Sequence, residues 1–463
     1  MADASALDKP TADWVDAAFV QHAADYDKCD RYYDGTHAVQ LTDRMRRFLR
    51  VPDHTFTANL CAPIIDAAVD RLIVTTFSTD DEPTGKFASE VWRLNRMDRN
   101  QRDAHRCALV HGDAYVVVEW DTAGQRPRLE PNEASLIRLR FDGDDPTQPD
   151  LGAKMWTKGE ATFLTVYRPG RIERYQREGG GVWNLRVMTD GQEAHNAYAI
   201  GSDLMPIPIV PFRNQRRRLH EYGLSDITAL IPMQNALNKT LIDLLANNDY
   251  LGMPVRWIAN ASPPAGGFKV YPGALLELSP SDPEKAVQTG EWASESPEGL
   301  INSSKLWIEL LSVIGKTPAH LLTVMTDIPS GEALKTAESP LIHRVEAMQV
   351  GFGNSWEDVI RAANDVTLWA VAAGYKSKVA SVAEIGFLEC EWRDPETRTD
   401  LQEIEIAALK IGSLGIPKSQ AWSELGYTAE EIAVMEAARE KEAASATNIG
   451  AQILQGFNAG VGA

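Results

Sequence analysis

The sequence predicts an α+β protein with helical segments towards both ends and two separate strand-rich regions between them. Three observations carry this prediction. The first 110 residues place apolar side chains at helical spacing, whereas residues 114–176 form short runs separated by Gly, Pro and Asp. A second strand-rich insert, about forty residues long, lies between two further helical patterns.

Within the first region, a helix is predicted over 14–33 and ends at Asp34-Gly35. A further helix carries Val91, Trp92 and Leu94 and is expected to end at Gly112. An amphipathic stripe predicts one more helix between them, with its apolar face formed by Ile64, Ile65, Ala68, Val69 and Leu72. The strands that follow predict an antiparallel meander, with runs at 114–120, 135–141, 153–156, 162–168 and 171–176.

A long helix rich in Asn is predicted to begin near Ser225, a suitable N-cap, and to continue to about residue 250. Its apolar residues line one face, but Asn235 and Asn238 supply amides where a solvated helix normally carries Glu and Lys. Asn is a mediocre helix former. The amides therefore indicate a neighbouring surface or a water-filled channel, although an ordinary surface helix remains an alternative.

Beyond the strand-rich insert, helices are predicted over 300–314 and 331–374, with a loop of small polar residues between them. Pro340 is expected to kink the second helix, and Gly351 and Gly353 to weaken its middle. Two or three further helices are expected from Leu401 to about Ala444, joined at 415–417 and 425–428.

The composition describes a globular chain of 463 residues, with 44% hydrophobic and 24% charged residues and material for about three domain-sized units. Neither a signal peptide nor an apolar run of membrane-spanning length is apparent, so we expect synthesis and assembly in the cytoplasm and no membrane contact. The formal charge of −19 argues against a protein whose whole surface grips nucleic acid, but not against a DNA channel with few phosphate contacts.

Sequence signatures of catalysis are not found: the chain has no Walker motif, no nucleophile elbow and no HExxH. The four cysteines lie far apart, so we expect free thiols, and we expect no metal site, no catalytic residue and no cofactor. The acidic turn 142–145 lacks the remaining ligand spacing of a calcium loop. One basic cluster precedes the Asn-rich helix and is a candidate for contact with DNA or a neighbouring subunit, or simply a solvated face: Arg213, Arg216, Arg217 and Arg218.

These blocks together resemble the portal, or head-to-tail connector, proteins of tailed bacteriophages of the siphovirus type. The resemblance rests first on Pro211 to Pro254, where PFRNQRRRLHEYGLSDI leads into LIPMQNALNKTLIDLLANNDYLGMP. Five further blocks stand in the same order: DKCDRYYDGTH (27–37), NLCAPIIDAAVDRL (59–72), HGDAYVVVEW (111–120), IGKTPAHLL (314–322) and PSGEALKTAESPLIHRVEAM (329–348).

The resemblance implies a portal fold with a mixed α/β wing, a two-helix stem carrying a β-rich clip, a long kinked helix and an α-helical crown. The implied boundaries are a wing over 1–222, a stem helix over 223–250, a clip over 251–296, a second stem helix over 297–316, a tunnel loop over 317–330, the long kinked helix with the rest of the wing over 331–399, and a crown with a C-terminal tail over 400–463.

The resemblance also implies a function: a ring, expected to be a dodecamer, through which double-stranded DNA is packaged at one capsid vertex of the virion and later ejected. Its implied partners are the terminase large subunit, head-completion or adaptor proteins, and the major capsid and scaffold proteins, and packaging energy would come from a separate ATPase. Thr323, Thr326 and Asp327 become candidates for tunnel-loop residues that face DNA, unless this segment is a plain connector. Asn235 and Asn238 would form the polar face of the stem helix, and the implied residues of the clip core or of partner docking are Trp257, Phe268 and Tyr271.

Two alternatives remain at this point. One is another head or neck component, such as an adaptor or minor capsid protein, against which the length and the helix, β insert, helix order argue. The other is a metal-dependent nucleic-acid enzyme, for which acidic pairs such as Asp142 with Asp144 would have to bind Mg²⁺.

Overall fold

A computed structural model describes most of the chain up to residue 441. The described residues are 6–39, 57–141, 149–186, 195–196, 207–215, 221–252, 256–261, 280–282, 284–291, 296–323, 331–396, 400–425, 427, 431–432, 434–439 and 441.

Helices and strands form largely separate runs along the chain, in the α+β manner that the sequence predicts. The helices are α1 Lys9–Tyr33, α2 Cys61–Val69, α3 Glu82–Leu94, α4 Met97–His111, α5 Asp226–Gly252, α6 Glu298–Gly315, α7 Gly331–Ala372, α8 Asp400–Ser413 and α9 Lys418–Glu424, with a short 3₁₀ helix at Ala319–Leu321. The strands are β1 Val74–Thr79, β2 Asp113–Asp121, β3 Arg126–Glu133, β4 Ile137–Phe141, β5 Pro149–Lys158, β6 Ala161–Arg168, β7 Arg171–Glu178, β8 Asn184–Leu185, β9 His195–Asn196, β10 Ile209–Arg213, β11 Arg256–Ala259, β12 Gln288–Glu291 and β13 Leu388–Trp392.

The first helix begins and ends where its local sequence requires. The Asp8 carboxylate accepts a hydrogen bond from the Thr11 backbone N–H at 3.1 Å, which satisfies one of the free N–H groups at the helix start. At the other end Gly35 adopts a φ of +72°, a conformation that glycine reaches without strain. The predicted end at Asp34-Gly35 is confirmed.

The prediction of one helix running from Val91 to Gly112 was wrong, because the chain breaks between α3 and α4. Arg96 adopts a left-handed φ of 54° at the break. The side chain of Asn95 explains the position: its amide donates to the Pro127 carbonyl at 3.0 Å and its oxygen accepts from the Leu129 N–H at 3.1 Å. Gly112, with a φ of +94°, does end the second of the two helices.

The strands of the first β region belong to two antiparallel sheets. The meander prediction is confirmed for β4 to β7, which pair in chain order and continue to β8. Strand β2, however, lies in a separate sheet of order β10-β2-β3. The sequence reading omitted β3, in which Pro127 and Pro131 interrupt the strand pattern.

One large apolar core joins α2, α3, α4, β2, α5 and α7. At its centre the fully buried Trp356 of α7 donates from its indole N–H to His105 Nε2 at 2.9 Å, and the Trp92 ring meets Trp356 edge-on with 5.0 Å between ring centroids. Burial lowers the pKa of His105 to about 3, so this imidazole is neutral and accepts the indole N–H.

The long helix α7 runs without interruption over 42 residues, with Pro340 inside it. Gly353, which was expected to weaken the middle of this helix, has a packing role. A Cβ on Gly353 would lie 3.2 Å from the indole nitrogen of Trp392, the last residue of β13. The absent side chain lets β13 approach α7 closely. The C-terminal helices α8 and α9 flank residues 415–417, as the sequence predicts.

Candidate functional site

Helices α5 and α6 form a hairpin that carries a small β ribbon. Strands β11 and β12 pair antiparallel, with Trp257 opposite Gly290. A Cβ on Gly290 would lie 2.6 Å from the Trp257 ring, so the indole lies flat against the opposite strand. Trp257 is half-buried, whereas Phe268 and Tyr271 lie outside the described residues.

The amides of α5 bind an earlier segment of the same chain. Asn238 Oδ1 accepts from the Ala58 N–H at 3.0 Å, and its amide nitrogen lies 2.9 Å from His37 Nε2. Asn235 Oδ1 accepts from the Tyr32 hydroxyl at 2.8 Å, and Gln234 Oε1 accepts from the Leu60 N–H at 3.0 Å.

These contacts decide between the readings of the Asn-rich helix. Asn238 is 1% exposed, so it belongs to the interior of the subunit and not to an exposed polar face of the helix. The neighbouring surface that the amides indicated is residues 57–60 with Tyr32 and His37. A buried polar group without a partner is costly, which explains why amides stand at these helix positions.

The chain enters α5 through a tight crossing of two backbone segments. The Asn214 N–H donates to the Gly112 carbonyl at 2.8 Å, and the Leu224 N–H donates to the Asn214 carbonyl at 2.9 Å. Gly223 lies inside this crossing, and its N–H donates to the Asp113 carboxylate at 2.9 Å. A Cβ on Gly223 would lie only 2.1 Å from the Gly112 carbonyl oxygen, so no larger residue fits there.

The basic cluster is only partly described. The guanidinium of Arg213 lies over the Phe141 ring at 4.3 Å from its centroid, which holds this cation against the neighbouring sheet. Arg216, Arg217 and Arg218 lie outside the described residues.

Burial raises the pKa of Asp113 to about 6, although the Gly223 N–H and the nearby Arg213 and Arg138 charges favour the ionised form. Because this pKa lies above the ordinary value of 3.8, the carboxyl group stabilises the fold most below about pH 4, and this contribution is lost as pH rises through about 6. As the pH rises from about 4 to about 7, we expect the free energy of unfolding of Asp113→Asn to increase by about 2–3 kcal/mol relative to that of the wild type.

Urea denaturation over this pH range, at a fixed subunit concentration, measures that difference. Asp103→Asn is the matched control, because Asp103 is an exposed carboxylate on α4. Parallel stability curves for wild type and Asp113→Asn would contradict the expectation.

A buried ion pair gathers the chain segments at the base of the hairpin. Arg344 of α7 pairs with Asp226, the first residue of α5, and their side chains are 8% and 7% exposed. The same guanidinium donates to the carbonyl of Gly315, the last residue of α6, at 2.6 Å. Asp226 also accepts from the side-chain amides of Asn214 at 2.9 Å and Gln215 at 2.6 Å.

We call this group of Asp226, Arg344, Gly315, Asn214 and Gln215 the hairpin-base junction. It joins the end of β10, the start of α5, the end of α6 and the body of α7. In the sequence, Asp226 is an ordinary acidic residue in the first turn of a predicted helix, and Arg344 belongs to no motif. The sequence could not indicate that they pair, because they lie 118 residues apart along the chain.

The segment between α6 and α7 begins with fixed contacts. The Ser312 hydroxyl donates to the Thr317 carbonyl at 2.6 Å, and the imidazole of His320 lies 3.4 Å from the Glu338 carboxylate, which also pairs with Arg71 at 3.6 Å. Thr323 is exposed and its hydroxyl donates to the Ala319 carbonyl at 3.0 Å. Thr326 and Asp327 lie outside the described residues.

Neither a metal centre nor a membrane span emerges from the described part of the chain. Within it, no group of three or more His, Cys, Asp or Glu side chains is placed to hold a metal ion. No helix in the described ranges combines the length and the apolar character needed to cross a membrane. The acidic turn with Asp142 and Asp144 lies outside the described residues.

Comparison with known proteins gives consistent matches along the chain. Residues 13–446 match the family model described as phage portal protein, SPP1 Gp6-like. Curated portal proteins of Mycobacterium phage D29 and Mycobacterium phage L5 are each 25% identical to this chain, over 417 and 409 residues, and each match covers 82% of this chain and 78% of the relative.

Among solved structures, a chain of the neck of a native GTA particle computed with C12 symmetry is similar at a TM-score of 0.44. It is 12% identical in sequence, and the match covers 89% of this chain and 99% of that one.

Proposed function

The chain belongs to the SPP1 Gp6-like family of phage portal proteins, and on that premise we propose that it forms a ring-shaped channel for DNA at one vertex of a phage capsid. Double-stranded DNA passes through the ring during packaging and again during ejection. The family match over residues 13–446 is the observation that carries the proposal, because it includes the hairpin, the loop and the long helix together.

The portal parts are assigned to this chain as follows. Helices α5 and α6 are the stem, and the β11–β12 ribbon at their tip is part of the clip, which docks the terminase large subunit and later the head-completion proteins. The segment 317–330 is the tunnel loop, α7 connects to the wing, and α8 with the residues after it forms the crown. The subunits make a homo-oligomeric ring of twelve copies in the virion, assembled in the host cytoplasm with the major capsid and scaffold proteins.

The mechanism in this proposal is geometric and electrostatic. The hairpin-base junction fixes where the hairpin and the loop leave the body of the subunit, so that every copy presents them at the same place. Thr323, Thr326 and Asp327 are then the DNA-facing residues of the loop. Because the loop offers no cluster of cations, it holds few phosphates and lets DNA slide without sequence specificity. Energy comes from a separate motor, and the portal has no catalytic role.

Electron microscopy of the purified protein with two-dimensional averaging tests the ring directly. A wide ring with a central hole and a narrower stalk is the expected result, and its symmetry can be counted. A flat ring without a stalk would favour an adaptor protein instead. A uniform monomer, in the presence as well as the absence of capsid and scaffold proteins, would overturn the proposal.

The electrostatic part has its own prediction. We expect Asp327→Lys, which brings a cation to the loop of every subunit, to slow DNA packaging and to make its rate more dependent on salt, because each added phosphate contact steepens the salt dependence of binding. A packaging assay on particles that carry the variant measures both. Asp27→Lys makes the same charge change on the exposed side of α1. Equal packaging rates for the two variants would show that residue 327 does not meet DNA.

A further inference from the structure

The second stem helix α6 has two faces of different character. Its inner face packs into the subunit: Leu311 is fully buried, and a Cβ on Gly315 would lie 2.6 Å from Ile64 Cγ2. Its outer face exposes Lys305, Glu309 and Val313, which follow each other at four-residue spacing and form one row. Val313, at the base end of this row, is 73% exposed.

The first stem helix α5 also has an outer row. Towards the tip of the hairpin this row carries Lys239 and Asp243, an ion pair one turn apart at 2.7 Å. Towards the base the outer row continues in small apolar residues, of which two are exposed and one is half-buried: Ala229, Pro232 and Ala236. The row is therefore charged near the tip and apolar near the base, as is the outer row of α6.

The relative height of the two rows follows from the contact between the helices. The Trp307 indole N–H donates to the Thr240 hydroxyl at 3.0 Å, so these two residues lie side by side in the antiparallel hairpin. Counting outward along both helices from this contact places Lys305 within one residue of the height of Asp243. The same count places Glu309 within one residue of the height of Lys239, and one residue is about 1.5 Å of helix.

Rotation about a ring axis keeps every atom at its height along that axis. In a ring whose stem helices run along the axis, a contact between the outer row of α6 in one copy and the outer row of α5 in the next copy therefore joins residues at matching heights. Opposite charges then face each other at both levels, and Val313 meets the small apolar residues near the base. This inference rests on the proposed function, since it takes the ring as given.

We infer that the α6 row Lys305, Glu309 and Val313 docks onto the α5 row of a second copy of this chain. Lys305 pairs with Asp243 of the next copy, Glu309 pairs with Lys239 of the next copy, and Val313 packs on Ala229, Pro232 and Ala236. The contact is head-to-tail, because two different surfaces meet, and such contacts close into a ring when the rotation fits. A second copy of this chain is favoured over a partner of another kind, because the charges of the two rows match each other in height within the chain's own hairpin.

Exchanging charges tests the pairing without removing any. The α6 exchange is Lys305→Glu with Glu309→Lys, and the α5 exchange is Lys239→Asp with Asp243→Lys. Each keeps a pair of opposite charges one turn apart within its own helix. Either exchange alone places like charges opposite each other between copies, and both together restore opposite charges.

We expect either exchange alone to lower the fraction of protein in rings at least tenfold at about 0.1 M salt, where exposed charges still interact over about 10 Å. The combined variant is expected to recover the ring fraction of the wild type. Size-exclusion chromatography with electron microscopy measures that fraction, and thermal unfolding confirms that each variant folds. The control is Asp27→Arg with Arg31→Asp, which exchanges an exposed pair on α1.

A cysteine pair gives a second readout. Lys305→Cys with Asp243→Cys, in a Cys107→Ser background, is expected to give a ladder of disulfide-linked subunits on mild oxidation, because the other native cysteines are buried. Lys305→Cys with Asp27→Cys in the same background should give none. The ladder must collapse to a single band on reduction.

The outcomes separate the inference from the proposed function. Rings that survive either single exchange, or that give no disulfide ladder, overturn the α6–α5 contact while the ring itself stands. A combined variant that fails to recover rings overturns it as well. A wild type that forms no ring under any condition removes the proposed function first, and the docking contact falls with it.

Discussion

Replacing Arg344 with methionine is expected to lower the free energy of unfolding by about 3–5 kcal/mol, because it leaves the buried Asp226 carboxylate without its counter-charge. Methionine fills similar space, so the loss reflects the uncompensated charge more than a cavity. The Gly315 carbonyl loses its hydrogen-bond donor as well. Denaturant unfolding at a fixed subunit concentration measures the change.

The matching double variant, Arg344→Met with Asp226→Asn, is expected to recover most of that loss. The neutral amide still accepts from Asn214 and Gln215, and replacing a whole buried ion pair costs far less than breaking it. Arg31→Met, at the exposed Arg31–Asp27 pair, should change stability by less than about 1 kcal/mol. An Arg344→Met variant as stable as Arg31→Met would show that the hairpin-base junction contributes nothing measurable to stability.

Replacing Gly223 with alanine is the second large effect, expected to cost about 3 kcal/mol or more. The added Cβ would lie 2.1 Å from the Gly112 carbonyl oxygen and 2.6 Å from the Asn214 carbonyl oxygen. Both are backbone atoms, so no side chain can turn away to relieve the contact. The crossing must open, and the hydrogen bond from Gly223 to Asp113 is lost with it.

Gly351→Ala provides the contrast, because a Cβ there meets nothing within 4 Å beyond its chain neighbours and the backbone of α7 itself. Alanine is the better helix former by about 0.5–1 kcal/mol, so this variant should gain stability. The same unfolding measurement serves both glycine variants. If Gly223→Ala and Gly351→Ala changed the free energy of unfolding equally and with the same sign, the backbone crossing at Gly223 would be looser than the described geometry.

The sequence predicted elements where local signals decide the structure. Gly35 and Gly112 end helices because their backbones take positive φ angles, and Gly415, also at positive φ, lies in the break between α8 and α9. Strand β3 was missed because Pro127 and Pro131 look like strand breakers. They are tolerated because β3 is an edge strand, and the carbonyl of Pro127 and the N–H of Leu129 point outward to the Asn95 side chain.

The site was harder to predict, because its contacts join distant segments. The amides of α5 indicated a neighbouring surface, but nothing near Asn238 in the chain points to Ala58, 180 residues away. The break at Arg96 has no Gly or Pro to mark it, and depends on Asn95 reaching β3. The pairing of Asp226 with Arg344 is likewise a tertiary contact, since neither residue carries a motif.

The hairpin-base junction has a mechanical consequence. Both ends of the hairpin, at Asp226 and Gly315, are bonded by one guanidinium on α7, so this junction transmits part of any load on the β ribbon to the long helix. Because the junction is buried, dissolved ions screen its charges only weakly. Added salt should therefore weaken exposed contacts between neighbouring copies, while each hairpin stays attached to α7 of its own subunit.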